Sequence, residues 1–204
     1  MNIVNNILPM ITYSYSYASF YLFQSFLNNM MDKNMANNFT CFMHAFGYCT
    51  TSLFYFELGN FDSIWFFLKN FSTGYFIYDI GYIIKNRKMS LTDSIFIYHH
   101  MSTALLLRDD IHKKNIFKML FFAEFSNLPS YIIYYLTKTK TKNQAFLKRM
   151  KILQFFMYSF IRIPVIGYYL FDVLKRKPKF SSLLSLPIYF LGVGWTFKLY
   201  KGLT

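Results

Sequence analysis

The chain has 204 residues, 54% of them hydrophobic, 23% aromatic and only 15% charged, where a soluble domain carries about a quarter charged residues. Its net charge of +13 raises nucleic acid as a partner, but the lysines and arginines fall in short clusters between apolar runs, as in the loops of a membrane protein, and this argues against that reading. Its two cysteines, Cys41 and Cys49, would stand about 12 Å apart along one helix, which excludes a bridge between them, and no disulfide framework or zinc spacing is present.

In chain order, the first expected span covers residues 8–27, with Pro9 in its first turn. Residues 1–10 show neither a basic leader nor a small-residue cleavage site, so this run reads as a retained span. A polar loop at 28–38 carries Lys33 and leads to a short second span, 40–56, holding His44. A turn at 57–62, with Gly59 and Asn60, precedes the third span, 64–84, which has Lys69 toward one end and Asp79 toward the other.

Lys85, Arg87 and Lys88 form a basic loop, after which Ser90 or Thr92 is expected to cap a helix at 93–107. Its apolar core is about 13 residues, short of the roughly 20 a crossing needs, so the segment is either shielded in the bundle, set in a thinned bilayer or re-entrant. A charged loop at 108–115 leads to a fifth span, 116–136, holding Glu124, Asn127 and Pro129. The basic stretch 137–151 (KTKTK, LKRMK) is expected as a loop, then come a sixth span, 152–171, with Arg162 and Pro164, the basic KRKPK at 175–179, and a last span, 183–200. The expected fold class is therefore all-α: a polytopic transmembrane bundle or barrel of about seven spans. Loop charge favours a lumenal or external N-terminus.

The ionisable groups inside apolar runs carry the chemistry. A charge at bilayer depth costs several kcal/mol unless it faces protein or a wet cavity. Helical spacing puts Ser72, Tyr75 and Asp79 on one face, Glu124, Asn127 and Tyr131 on another, and Tyr158 or Ser159 beside Arg162. His99 shares a face with Ser102 and Thr103, whereas His100 is rotated by about 100°. Any one of these reads as interhelical glue. As a set spread over five spans, His44, Asp79, His99, His100, Glu124 and Arg162 read as the lining of one polar chamber. Arg162 either shapes that chamber or is counter-ion to Asp79 or Glu124.

A histidine in a partly dry site acts as general base toward an amine or hydroxyl, or accepts an acyl group, and a carboxylate fixes its tautomer. No His-x-x-x-His or Glu-x-x-His spacing favours a metal. No G-x-S-x-G elbow, P-loop or dinucleotide fingerprint occurs.

Over residues 37–200 the order of these pieces resembles the TLC-domain family of multi-pass membrane proteins, which includes the ceramide synthases. The likeness rests on NNFTCFMHAF around His44, FSTGYFIYD ending at Asp79, YHHMST with His99 and His100, AEFSN from Glu124 to Asn127, and an arginine before proline at Arg162. It implies a helix barrel with a long acyl cavity at residues 37–204, after an N-terminal span and loop at 1–36. In the ceramide-synthase branch the histidine pair works with Asp-x-x-Asp to move a fatty acyl group from coenzyme A to a lipid amine. Here the matching positions are Glu124 and Asn127, so the chain is more similar to the shorter members, whose roles lean toward membrane lipid composition.

The expectation is a multi-pass protein of an endoplasmic-reticulum-like membrane, with membrane lipid and a second copy of itself as partners, no nucleic acid, and no bound cofactor beyond acyl-CoA as co-substrate. In its enzymatic form His99 or His100 is base or acyl acceptor and Glu124 orients it, while His44, Tyr75, Asp79, Asn127 and Arg162 hold the substrate. The alternative is a non-enzymatic lipid-binding regulator. A proton or solute carrier is disfavoured by the lack of paired broken helices.

Overall fold

Each apolar run forms a helix, and no strand occurs among the described residues. The structure is a computed structural model that describes the backbone at residues 3–58, 61–176 and 180–202, and the side chains there except at 3–9, 55–58 and 181–182. The expected turn residues Gly59 and Asn60, and Lys177, Pro178 and Lys179 of the KRKPK run, lie outside the described residues. Seven helices follow one another: α1 (Ile3–Asn28), α2 (Lys33–Leu58), α3 (Phe61–Asn86), α4 (Leu91–Leu106), α5 (Lys113–Lys138), α6 (Gln144–Arg176) and α7 (Phe180–Lys201).

The helices outrun the apolar runs. Most of the loop expected at 28–38 is the first turns of α2, and the basic loop expected at 137–151 shrinks to 139–143, so LKRMK is helical. The reason is that lysine, arginine and glutamine are good helix formers, and hydropathy marks where a chain leaves an apolar medium, not where its backbone stops bonding. Caps set the true edges. Asn143 accepts from the Phe146 amide at 2.9 Å to start α6, and Lys140 turns the chain with φ 49°.

Helix α4 is the shortest, 16 residues or about 24 Å. Ser90 rather than Thr92 caps it, through a reciprocal box in which Ser90 Oγ accepts from the Asp93 amide at 3.2 Å and the Ser90 amide donates to Asp93 Oδ2 at 3.1 Å.

Short connections make consecutive helices antiparallel. Helices α2, α3, α4, α7, α6 and α5 each pack on the next, and α5 returns to α2, closing a ring of six. Helix α1 packs outside it, on α3 and α2. The α1–α3 approach is close: a Cβ at Gly74 would stand 2.5 Å from Ser16 Cβ and 2.7 Å from the Tyr13 carbonyl oxygen.

At the end of the ring where α3 and α5 begin, Asp110 accepts from Lys69 at 2.9 Å and from the Trp65 indole at 3.1 Å, tying the α4–α5 loop to α3. Burial alone would push the Asp110 carboxyl up. The hydrogen bonds from Lys69 and Trp65 and the charges of Lys69 and Lys113 outweigh it and hold the group below its usual value. Nearby, Asn115 donates to Asp172 at 2.7 Å and joins α5 to α6.

Two segments, all of α6 and Leu183–Lys201 of α7, are long and apolar enough to cross a membrane, and little of either is covered by the rest of the chain. Leu22, Phe67, Phe160, Tyr168, Phe171 and Phe197 are all more than half exposed on the outside of the helices.

Candidate functional site

The ring surrounds a partly open cavity of about 400 Å³. Spacing along each helix explains its lining. Asn34, Asn37, Asn38 and Cys41 stand at i, i+3, i+4 and i+7 on α2. Tyr75 and Asp79 come from α3, Phe96, His99 and His100 from α4, and Asn127, Tyr131 and Tyr134 from α5. Gln154, Tyr158 and Arg162 of α6 and Ile188, Gly192 and Trp195 of α7 complete it. A smaller, mainly apolar cavity of about 90 Å³ adjoins it, lined by Leu106, Ile116, Met119, Leu120, Ile166 and Leu170 among others. His99, Asn127, Arg162, Ile188 and Gly192 border both, so these two spaces meet at one junction.

Six of the eight residues singled out in the sequence therefore line the larger space: Tyr75, Asp79, His99, His100, Asn127 and Arg162. Glu124 lines only the smaller one, and His44 lines neither of the two cavities.

The carboxylate beside His100 is Asp79, while Glu124 borders the smaller cavity together with His99. His100 Nδ1 lies 3.3 Å from Asp79 Oδ2, with both side chains about nine-tenths buried. That approach lacks hydrogen-bond alignment, and His100 Nδ1, Asp79 Oδ1 and Asn37 Oδ1 are buried without a hydrogen-bond partner. Such atoms normally find one. The His99 and His100 rings are 5.4 Å apart, close enough for both to meet one bound molecule.

Glu124 instead faces His44, Oε1 to Nδ1 at 3.8 Å, while His44 Nε2 shares a hydrogen bond of 3.0 Å with Ser72 Oγ. The order Ser72–His44–Glu124 is that of a hydrolase triad. Both Ser72 and His44 are fully buried, and His44 is stacked on Tyr75 with ring centres 3.8 Å apart. Neither Ser72 nor His44 lines either cavity, so these two form a strut behind the wall on which Glu124, lining the smaller cavity, rests.

Arg162 makes no direct ion pair with Asp79 or Glu124, although its charge is felt at Glu124. Its Nη1 donates to Asn127 Oδ1 at 2.6 Å and to the Tyr158 hydroxyl at 2.9 Å, and the hydroxyl itself donates to Asn127 Oδ1 at 2.7 Å. Among the described residues no three of His, Cys, Asp or Glu come together to hold a metal.

Asn34, Asn37, Asn38, Tyr134, Gln154 and Trp195 escaped the sequence reading. The α2 asparagines carried a usable signal, their i, i+3, i+4 spacing, which is invisible once 28–38 is taken as a loop. Comparison with known protein families, with characterised proteins and with solved structures finds no match to this chain. The site is therefore read from its own geometry. It offers a polar chamber with unsatisfied acceptors and two imidazoles, opening at a cationic junction onto an apolar recess.

Proposed function

We propose that the chain is a seven-span integral membrane protein of the TLC-domain kind, set in an endoplasmic-reticulum-like membrane, whose ring of helices holds a lipid. One observation carries this reading: buried polar atoms without partners, on Asn37, Asp79 and His100, belong to the walls of a cavity whose other end is apolar. An amphiphile satisfies both ends at once. The large aromatic and aliphatic side chains on the outside of the helices support lipid as the solvent, and the closed ring with α1 outside it supports the barrel that the resemblance implies.

In the enzymatic form the acyl donor is acyl-CoA and the acceptor a lipid amine or hydroxyl. His100, with Asp79 beside it, or His99 takes the proton from the acceptor as that atom attacks the thioester carbonyl. The C–S bond breaks, coenzyme A leaves and regains the proton from the imidazolium, and the acyl group stays on the lipid. A second reading, lipid binding without turnover, is favoured by one feature. Where an Asp-x-x-Asp pair would supply a second carboxylate, Asn127 supplies an amide whose oxygen is committed to Tyr158 and Arg162.

Lipid profiling of membranes that express the wild type or His99→Ala/His100→Ala tests the choice. The enzyme predicts an N- or O-acylated lipid that accumulates with the wild type and not with the double variant. A lipid change that survives the double substitution rejects turnover and leaves the regulator.

A further inference from the structure

We infer that Arg162 anchors an oxyanion head group on a single-chain amphiphile, carboxylate or phosphate, whose tail enters the smaller cavity. This rests on the lipid-holding reading and names the chemistry of the molecule held. Arg162 borders both cavities, and its planar guanidinium presents its donors in a fixed fork. Its hydrogen-bond partners are Asn127 and Tyr158, and among the described residues no carboxylate pairs with it directly, Glu124 of the smaller cavity acting on it only at longer range. The other cation on the wall, Arg87, is already paired with Asp93 at 3.2 Å. A cation at lipid depth without a directly paired counter-ion is costly, and a ligand oxyanion supplies one.

The chain holds this arginine in a particular way. Residues Met157–Arg162 form a π-helical turn inside α6, a feature that recurs at functional sites. The Ile163 amide reaches back five residues to the Tyr158 carbonyl, just before Pro164, which has no amide to continue an α-helical ladder. The guanidinium carbon sits 4.7 Å from the Tyr158 ring centre and Nη1 is fixed by two bonds, while Nε and Nη2 donate to no described protein group. The uncommitted edge of the fork matches the two oxygens of a carboxylate or phosphate. Asp79 on the chamber wall and Glu124 in the smaller cavity both repel an anion, so the free edge of the Arg162 fork is the place on this lining where such a head is favoured.

The test uses the full chain in nanodiscs and three probes with one alkyl chain: oleate, oleoyl lysophosphatidate and oleyl alcohol. The wild type is expected to retain at least one anionic probe about tenfold more tightly than the alcohol. The stronger anion identifies the head as carboxylate or phosphate. In R162Q that preference should fall to about twofold or less while alcohol retention is unchanged, the alcohol serving as the check that the cavity is intact. If R162Q does not fold, the wild-type ranking decides alone. Equal retention of alcohol and anions by the wild type, or a preference that survives in R162Q, overturns the Arg162 assignment and leaves the lipid cavity standing. Retention of none of the three overturns both.

Discussion

Three histidines in this chain look alike in sequence and differ in role because of where the ring of helices puts them. His44 is fully buried between Tyr75 and Ser72, on the far side of the wall, whereas His99 and His100 border the cavity. Replacing His44 removes packed volume that the neighbours cannot refill, so His44→Ala should lower stability by roughly 2–4 kcal/mol. His99→Ala, which enlarges a space already open, should change it by about 0.5 kcal/mol or less. Thermal unfolding of the two purified variants checks the contrast, and equal losses would contradict this division of roles. Periodicity put Tyr75 and Asp79 on one face of a helix, yet it could not tell which face of α2 turns inward. That rotation is fixed by six helices together, and so the partner of Glu124 was hidden while the i, i+4 relation of Tyr75 and Asp79 was plain.

At the level of elements, apolar runs located all seven helices but misplaced their ends. The residues gained at one of those ends matter: Asn34, Asn37 and Asn38 at the start of α2 line the polar chamber. The π turn in α6 was foreshadowed only by Pro164, since a proline in a span is as compatible with a kink as with a widened turn. Helix α1 touches the ring at Gly74, where its backbone sits against α3 with no room for a methyl group. Gly74→Ala must push α1 away and should cost roughly 1–3 kcal/mol. Because no described α1 side chain lines either cavity, bound lipid should be retained in the variant. Its melting temperature and its co-purified lipid, measured on the same sample, test both halves of that statement, and loss of lipid would make α1 part of the site.

Across the whole molecule, one architectural fact connects sequence and function: side chains from six helices, far apart along the chain, surround two adjoining spaces, one with a polar lining and one mainly apolar. The all-helical class and the candidate polar groups were legible because ionisable residues stand out inside apolar runs. The closure of the ring was not, since which helix neighbours which depends on packing that no single run encodes. Gly192 of α7 gives direct access to those spaces. It borders both cavities, and a Cβ added there meets nothing within 4 Å, so a side chain placed there starts in open space at the junction. The decisive measurement is native mass spectrometry of wild type and Gly192→Phe, each released from detergent. The account predicts one lipid bound per wild-type chain and none per variant chain at an unchanged melting temperature. A wild type without lipid, or a variant that carries it undiminished, would contradict the claim that this cavity is built to hold one.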